Sequence, residues 1–184
     1  MREADGVHDH HDHDHQHCRT TALERAERLC GEKGLRLTAQ RRMVLDVMLE
    51  SHAPVTAYEI MDRIAEVAHR PSPISVYRAL DFLVANGFVH RIESRNAFLA
   101  CSAVHQGPGE GDRAPALLFM LCEACGAATE AESVDLAEVL GTLAGRSGFT
   151  VASSVLEVKG LCAACRAAGR TTAPSVADQS QEQS

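Results

Sequence analysis

Apolar residues between positions 19 and 87 recur every three or four residues, which is the spacing of the buried face of a helix. This pattern predicts four helices, of which the first ends near Gly31 and Gly34 and the second runs from Ala39 to about Leu49. The residues predicted to face inward, helix by helix, are Leu23, Ala26 and Leu29; Val44, Leu45 and Met48; Ile60, Met61, Ile64 and Val67; and Val76, Leu80, Leu83 and Val84.

Helix-capping residues stand where three of these helices are predicted to begin. Thr38 precedes the second helix, and Thr56 precedes the third, where Glu59 completes a capping box. Either Ser72 or Ser75 opens the fourth helix. The polar positions therefore mark the same helix starts as the apolar pattern.

Two short apolar segments follow the fourth helix, residues Phe88–Glu93 and Asn96–Cys101, on either side of a polar Ser-Arg-Asn turn. They predict a β-hairpin. Short helices followed by a hairpin form a winged helix-turn-helix, a module whose last helix enters the major groove of DNA.

Several side chains of this predicted module suit contacts with DNA. Arg78 lies off the apolar face of the last helix, and a guanidinium matches guanine O6 and N7. Tyr58 and Tyr77 can pack on a thymine methyl or hydrogen-bond to phosphate, and Arg41 and Arg42 are candidate phosphate contacts. The alternatives are a solvated Arg78, a core tyrosine and arginines in surface ion pairs. Together, in one module, these residues favour DNA binding.

The charge distribution supports this interpretation. The chain of 184 residues has a net charge of −7, but residues 19–95 carry twelve Lys and Arg against ten acids, whereas residues 1–18 and 96–184 are acidic. With 45% apolar residues the chain can bury one sizeable core or two small ones, and no apolar run is long enough to span a bilayer. We therefore expect a soluble, cytoplasmic protein with neither a membrane nor a small organic substrate as its partner.

Two CxxC pairs, Cys122–Cys125 and Cys162–Cys165, lie about forty residues apart, and four thiolates at this spacing can form a tetrahedral zinc site. Both pairs follow apolar runs, which favours a site that joins two strands. A disulfide framework is disfavoured by the odd total of seven cysteines and the lack of a signal peptide. A redox enzyme normally carries one CxxC, and no nucleophile-and-base pair accompanies these cysteines, so we do not expect an enzyme.

Four segments in order, RLTAQRRMVLDVM, SVYRALDFLVANGFVHRIESRNAFLAC, FMLCEACGAATE and GLCAAC, resemble the ferric uptake regulator family and look most like its zinc uptake regulator branch. The similarity covers roughly residues 20–168. It implies an α+β fold, with an N-terminal winged helix-turn-helix followed by a small α/β dimerisation domain that contains the four-cysteine zinc site. It also implies a zinc-responsive homodimeric repressor that binds inverted-repeat operators of zinc-uptake genes.

The resemblance assigns the structural zinc to the four CxxC cysteines, and DNA contacts to Tyr58 and Arg78. The expected divisions of the chain are a disordered His- and Asp-rich tail (1–18), the DNA-binding domain (19–101), a hinge (102–115), the dimerisation and metal-binding domain (116–168) and a second disordered tail (169–184).

The resemblance also implies a second, regulatory zinc on His90, Cys101 and Glu130. A thiolate with an imidazole and a carboxylate favours zinc over the oxygen-rich sites preferred by manganese. Because His90 and Cys101 lie on the predicted hairpin and Glu130 lies beyond the first CxxC, zinc bound there would hold the two domains in a closed arrangement.

The fourth regulatory ligand is open, because the family pattern expects a histidine in a loop where residues 106–115 contain none. His105 is the nearest replacement, with Asp112 or water as alternatives. Two further questions stay open. A sibling regulator that senses iron, manganese or peroxide is the alternative function, and the HDHHDHDHQHC segment of the N-terminal tail is either a weak zinc reservoir or inert.

Overall fold

The computed structural model describes residues 15–51, 53–101 and 115–172. The helices of this part of the chain are α1 (His15–Glu32), α2 (Ala39–Met48), α3 (Ala57–Val67), α4 (Pro73–Ala85), α5 (Val134–Gly145) and α6 (Ala163–Ala167). The strands are β1 (Val89–Ile92), β2 (Ala97–Ala100), β3 (Ala116–Cys122), β4 (Ala128–Ser133) and β5 (Val155–Gly160). Helices and a hairpin precede a sheet-containing part, so the predicted α+β class is confirmed.

The helix starts follow the predicted caps. The side-chain oxygen of Thr38 accepts a hydrogen bond from the backbone N–H of Arg41 at 3.4 Å. Ser72 rather than Ser75 caps α4, since its hydroxyl accepts from the N–H of Ser75 at 3.3 Å. Pro73 is then the first helical residue, a position that needs no donor.

Helices α1 to α4 pack around one apolar core, whose most buried members include Val44, Ile60 and Leu80 at 0% exposure. Two predicted inward positions were wrong. Val67 is the last residue of α3 and is 80% exposed, and Val84 is 38% exposed because it lies one residue, about 100° of helical rotation, past Leu83. Helix α1 also begins at His15, within the segment expected to be a tail; residues 1–14 lie outside the described residues.

The β1–β2 hairpin forms the wing, and its two faces contact different partners. The side chains of Val89 and Phe98 point into the helical core. The backbone of Phe98 also pairs with that of Val55, which lies between α2 and α3. Because side chains alternate along a strand, Ile92 and Leu99 face the other way. They pack in a second apolar cluster with residues of β3 and β4: Leu117, Phe119, Leu121 and Ala128.

The second sheet has the strand order β4-β3-β5, with β3 antiparallel to β4 and parallel to β5. Helix α5 connects β4 to β5 and contains no buried residue in the single chain. None of the helices within the described ranges combines the length and apolar character that crossing a membrane requires.

The capping box of α3 generates a stability prediction. Thr56 accepts from the N–H of Glu59 at 3.3 Å, and Glu59 accepts from the N–H of Thr56 at 2.7 Å. We expect Thr56→Ala to lower the free energy of unfolding by about 1 kcal/mol, measured by urea denaturation of the zinc-loaded protein. Thr56→Ser keeps the hydroxyl and should remain close to wild type; equal losses in both variants would contradict a capping role.

Candidate metal centres and nucleic-acid interface

The parallel pairing of β3 with β5 brings the two CxxC pairs together. Cys122 ends β3 and is the register partner of Gly160, which ends β5. The N–H of Glu123 also donates to the carbonyl of Gly160 at 2.8 Å. Since parallel strands end at the same edge of a sheet, Cys162, two residues after Gly160, lies at the same edge as Cys122.

The four sulfurs of this site fit a tetrahedral zinc ion. Their Sγ atoms all lie within 4.8 Å of one another, and those of Cys125 and Cys162 are 3.8 Å apart. Zinc–sulfur distances of about 2.3 Å place two sulfurs of a tetrahedral site about 3.8 Å apart, whereas a disulfide needs about 2.0 Å. Gly126, with φ of +79°, makes the turn after the first pair in a conformation that glycine adopts without strain.

Hydrogen bonds and burial change the acidities of two of these thiols, Cys122 and Cys165, in opposite directions. The N–H of Cys162 donates to the sulfur of Cys122 at 3.4 Å, and this bond is the main cause that lowers the pKa of Cys122 to about 6. Burial, followed by the neighbouring sulfurs, raises the pKa of Cys165 to about 12. Cys122 therefore loses its proton more readily than Cys165, from which zinc binding must displace a proton.

A second donor cluster joins the wing to the β3–β4 sheet. His90 of β1, Cys101 just after β2 and Glu130 of β4 place their ligand atoms within 4.8 Å of one another. Nε2 of His90 lies 3.7 Å from Oε1 of Glu130. Cys101 is 6% exposed and Glu130 7% exposed, so both donors are shielded from solvent.

The chemistry of this cluster fits zinc, because thiolate, imidazole and carboxylate are all zinc donors. Burial, and then the charge of Glu130, raise the pKa of Cys101 well above its usual range, so a metal must displace its proton. The ring of His90 packs against that of Phe119, whose centroid is 5.1 Å away. The structure thus brings together three of the four predicted regulatory ligands; His105 lies outside the described residues, as does Asp112.

The predicted DNA-contacting residues differ in their solvent exposure and in their contacts with other residues of the protein. Tyr58 near the start of α3 is 64% exposed, Tyr77 is 39% exposed and Arg78 on α4 is exposed. Arg41 instead lies over the ring of Phe82, 3.5 Å from its centroid, and donates to the carbonyl of Arg36 at 2.7 Å. Arg42 forms an ion pair with Glu27. The two arginines therefore have partners within the protein.

A groove of about 340 Å³ separates the first turns of α2 and α4, a feature that sequence patterns did not predict. The capping residues Thr38 and Ser72 line it, together with the guanidinium-bearing Arg41 and Arg78. Two helix N-termini and two cations favour an anion such as a DNA phosphate. The caps are visible in the sequence, but their meeting in space depends on how α2 packs on α4.

A winged helix-turn-helix joined to a sheet that carries zinc-type donor clusters defines a metal-binding, DNA-binding protein. The chain belongs to the ferric uptake regulator family, whose model matches residues 32–159. It is 36% identical to the zinc uptake regulation protein of Escherichia coli strain K12 over 143 residues, 78% of this chain and 80% of that protein.

Two solved structures agree with this membership. A zinc uptake regulator complexed with zinc and DNA is 34% identical, with a TM-score of 0.74 over 82% of this chain and 97% of that one. The holo form of XcZur is 42% identical, with a TM-score of 0.67 over 80% and 98% of the two chains. The fold described above is therefore shared with proteins of the zinc branch.

The four-cysteine site generates the second prediction. We expect Cys162→Ser to lose one zinc ion per subunit and to destabilise the β3–β5 part of the molecule, because a structural zinc ion contributes folding free energy directly. Zinc stoichiometry by elemental analysis and thermal unfolding by circular dichroism measure the two effects. Cys30→Ala, in the helical core, is the control and should keep the full zinc content; a wild-type zinc content in Cys162→Ser would rule out this ligand.

Proposed function

We propose that this chain is a zinc-responsive homodimeric transcriptional repressor, which binds inverted-repeat operators of zinc-uptake genes when it is loaded with zinc. The observation that carries the proposal is the His90–Cys101–Glu130 cluster, since its donors come from both the wing and the sheet. A ligand that needs both parts binds the closed arrangement more tightly than any other and so shifts the population towards it.

The two zinc sites then have different tasks. The four-cysteine site lies at one edge of a single sheet and fixes the ends of β3 and β5, as a structural zinc ion does. The second ion is the regulatory one, because it is bound only when the wing rests on the sheet. Bound there, zinc fixes the orientation of α4 relative to the dimerisation domain, with Arg78 and Tyr58 directed at the operator.

Exposed apolar surface on the second sheet supports a dimer. Met120 and Val158 are register partners on the face opposite Phe119, and they are 36% and 50% exposed. On α5, Val139 and Leu143 lie four residues apart, one above the other, and are 55% and 54% exposed. Exposed apolar side chains on neighbouring strands and on one helix face are typical of an interface between proteins. A second copy of the chain covers these side chains and brings two recognition helices to two half-sites.

The place of action follows from the proposed task, since a repressor must reach DNA where genes are transcribed. We therefore place the protein in the cytoplasm. The matched relatives are regulators, and we assign this chain no catalytic role. Zinc rather than iron or manganese is the proposed signal because the buried thiolate donor Cys101 is a soft ligand.

Operator binding tests this function. We expect fluorescence anisotropy with DNA upstream of a zinc-import gene to show binding that rises with buffered free zinc, and no such rise with iron or manganese. Glu130→Gln should need at least about tenfold more free zinc, since it loses a charged ligand, while keeping the zinc ion of the four-cysteine site.

Two further variants separate the response to zinc from the contact with DNA. Glu132→Gln removes a carboxylate two residues away on the same strand and should respond to zinc as wild type does. Arg78→Ala should weaken binding by about 1–3 kcal/mol at every zinc concentration, because it removes a base contact and leaves the metal site intact. Wild-type binding that ignores zinc or follows iron would contradict the proposed function.

The dimer interface has its own test. We expect Leu143→Asp to shift the protein from dimer towards monomer in sedimentation velocity, because a carboxylate cannot be buried there without a partner. Val67→Asp introduces the same charge at an exposed valine on α3 and should leave the dimer intact. A dimeric Leu143→Asp protein would move the interface away from α5.

A further inference from the structure

A row of three residues crosses the second sheet on the face that meets the wing. Phe119 of β3 is the register partner of Glu130 on β4 and of Glu157 on β5. Register partners share a face, so all three side chains point to the same side as Leu117 and Leu121, which pack on the wing. One end of the row, Glu130, belongs to the regulatory cluster.

The other end of the row, Glu157, contacts the turn at the tip of the wing. This turn, Glu93–Arg95, is called the wing turn below. Oε1 of Glu157 accepts from the N–H of Glu93 at 2.7 Å, and Oε2 accepts from the N–H of Ser94 at 3.2 Å. A carboxylate that accepts two backbone N–H groups is well matched to the exposed donors of such a turn.

Glu157 is held in its charged form by these contacts. Burial alone would raise the pKa of Glu157, but hydrogen bonds from the side chain and backbone of Ser94 and from the backbone of Glu93 outweigh it and lower the pKa. The contact is therefore ionised at neutral pH, and its hydrogen bonds are charge-assisted.

The last residue of the wing turn contacts the first CxxC. Nη2 of Arg95 donates to the carbonyl of Cys122 at 2.9 Å, and Nη1 donates to the carbonyl of Gly126 at 2.8 Å. The guanidinium thus joins both ends of the CxxC turn with one rigid group. Together, Arg95 and Glu157 hold the wing turn between β5 and the four-cysteine site.

We propose that Glu157 and Arg95 are positioning residues that set the zinc affinity of the regulatory cluster, although neither is a zinc ligand. The inference rests on the proposed function and deepens it. Both contacts exist only when the wing rests on the sheet, and the regulatory cluster is complete only in that arrangement. Whatever stabilises the closed arrangement therefore strengthens zinc binding, and zinc strengthens these contacts by the same factor.

The expected size follows from the population of the closed arrangement. When only a fraction of the molecules is competent to bind, the apparent dissociation constant rises as that fraction falls. Removing partly exposed, charge-assisted hydrogen bonds should lower the fraction, and the apparent affinity for regulatory zinc, by about three- to tenfold.

Charge separates this role from a direct effect on DNA. Replacing Glu157 by glutamine removes a negative charge from a DNA-binding protein, which by electrostatics alone should tighten operator binding. The positioning role predicts the opposite change, which is weaker operator binding. We therefore expect Glu157→Gln to weaken operator binding at limiting zinc and to approach wild type at saturating zinc.

The experiment uses the full-length protein with zinc bound at the four-cysteine site. Competition with a fluorescent chelator gives the affinity for the second zinc ion in wild type, Glu157→Gln and Arg95→Lys. Glu132→Gln, an exposed acid of β4 outside both donor clusters, is the matched control for charge removal and should bind zinc as wild type does. Amide hydrogen exchange by NMR reports the Glu93 and Ser94 N–H groups directly.

The expected result is a second zinc site weakened by about three- to tenfold and faster exchange at Glu93 and Ser94 in Glu157→Gln, with the structural zinc retained. An unchanged zinc affinity would overturn the inference even if exchange were faster, because the contact would then be local. A wild-type protein whose operator binding ignores zinc would count against the proposed function instead. The hydrogen-exchange and zinc-affinity measurements need no DNA, so they test the positioning role separately from the proposed function.

Discussion

The proposed regulation depends on one contact, the packing of the wing on the second sheet. It follows from strand alternation: one face of the hairpin supplies Val89 and Phe98 to the helical core, and the other supplies Ile92 and Leu99 to the sheet. His90 and Cys101 lie on that second face as well, in the same period-two pattern. A metal bound by these two residues together with Glu130 cannot be separated from the docking of the wing.

The two metal centres differ because of where their donors come from. The four cysteines of the structural site lie at or just beyond the ends of two hydrogen-bonded strands, so the sheet preorganises the site and the ion mainly stabilises its fold. The regulatory donors come from separate sheets that meet through a small apolar cluster. Zinc can therefore stabilise one arrangement permanently at the first site, while its occupancy of the second site varies with the zinc concentration.

Local sequence signals predicted the parts of the structure that local chemistry decides. Thr38 and Thr56 cap helices, the CxxC spacing predicts four converging sulfurs, and residue type with family resemblance indicated the donors His90, Cys101 and Glu130. Helical periodicity failed at the margins of the core, at Val67 and Val84. The contacts of Arg41 with Phe82 and of Glu157 with the wing turn could not be predicted, because they depend on elements that are distant in sequence.

A zinc sensor works only if its closed arrangement is close in free energy to the open one. Moving a two-state equilibrium from 1:99 to 99:1 requires a ligand that binds the favoured state about 5.5 kcal/mol more tightly than the other state. One metal ion can supply this difference. A large hydrophobic interface would keep the wing on the sheet without any metal. The apolar contact between wing and sheet is small, with Ile92 and Leu99 as the wing's members of its cluster. Because this interface is small, the hydrogen bonds of Glu157 and Arg95 contribute a substantial fraction of the free-energy difference between the closed and open arrangements. Polar contacts made by residues that do not bind the regulatory zinc can therefore set the zinc concentration at which the wing closes.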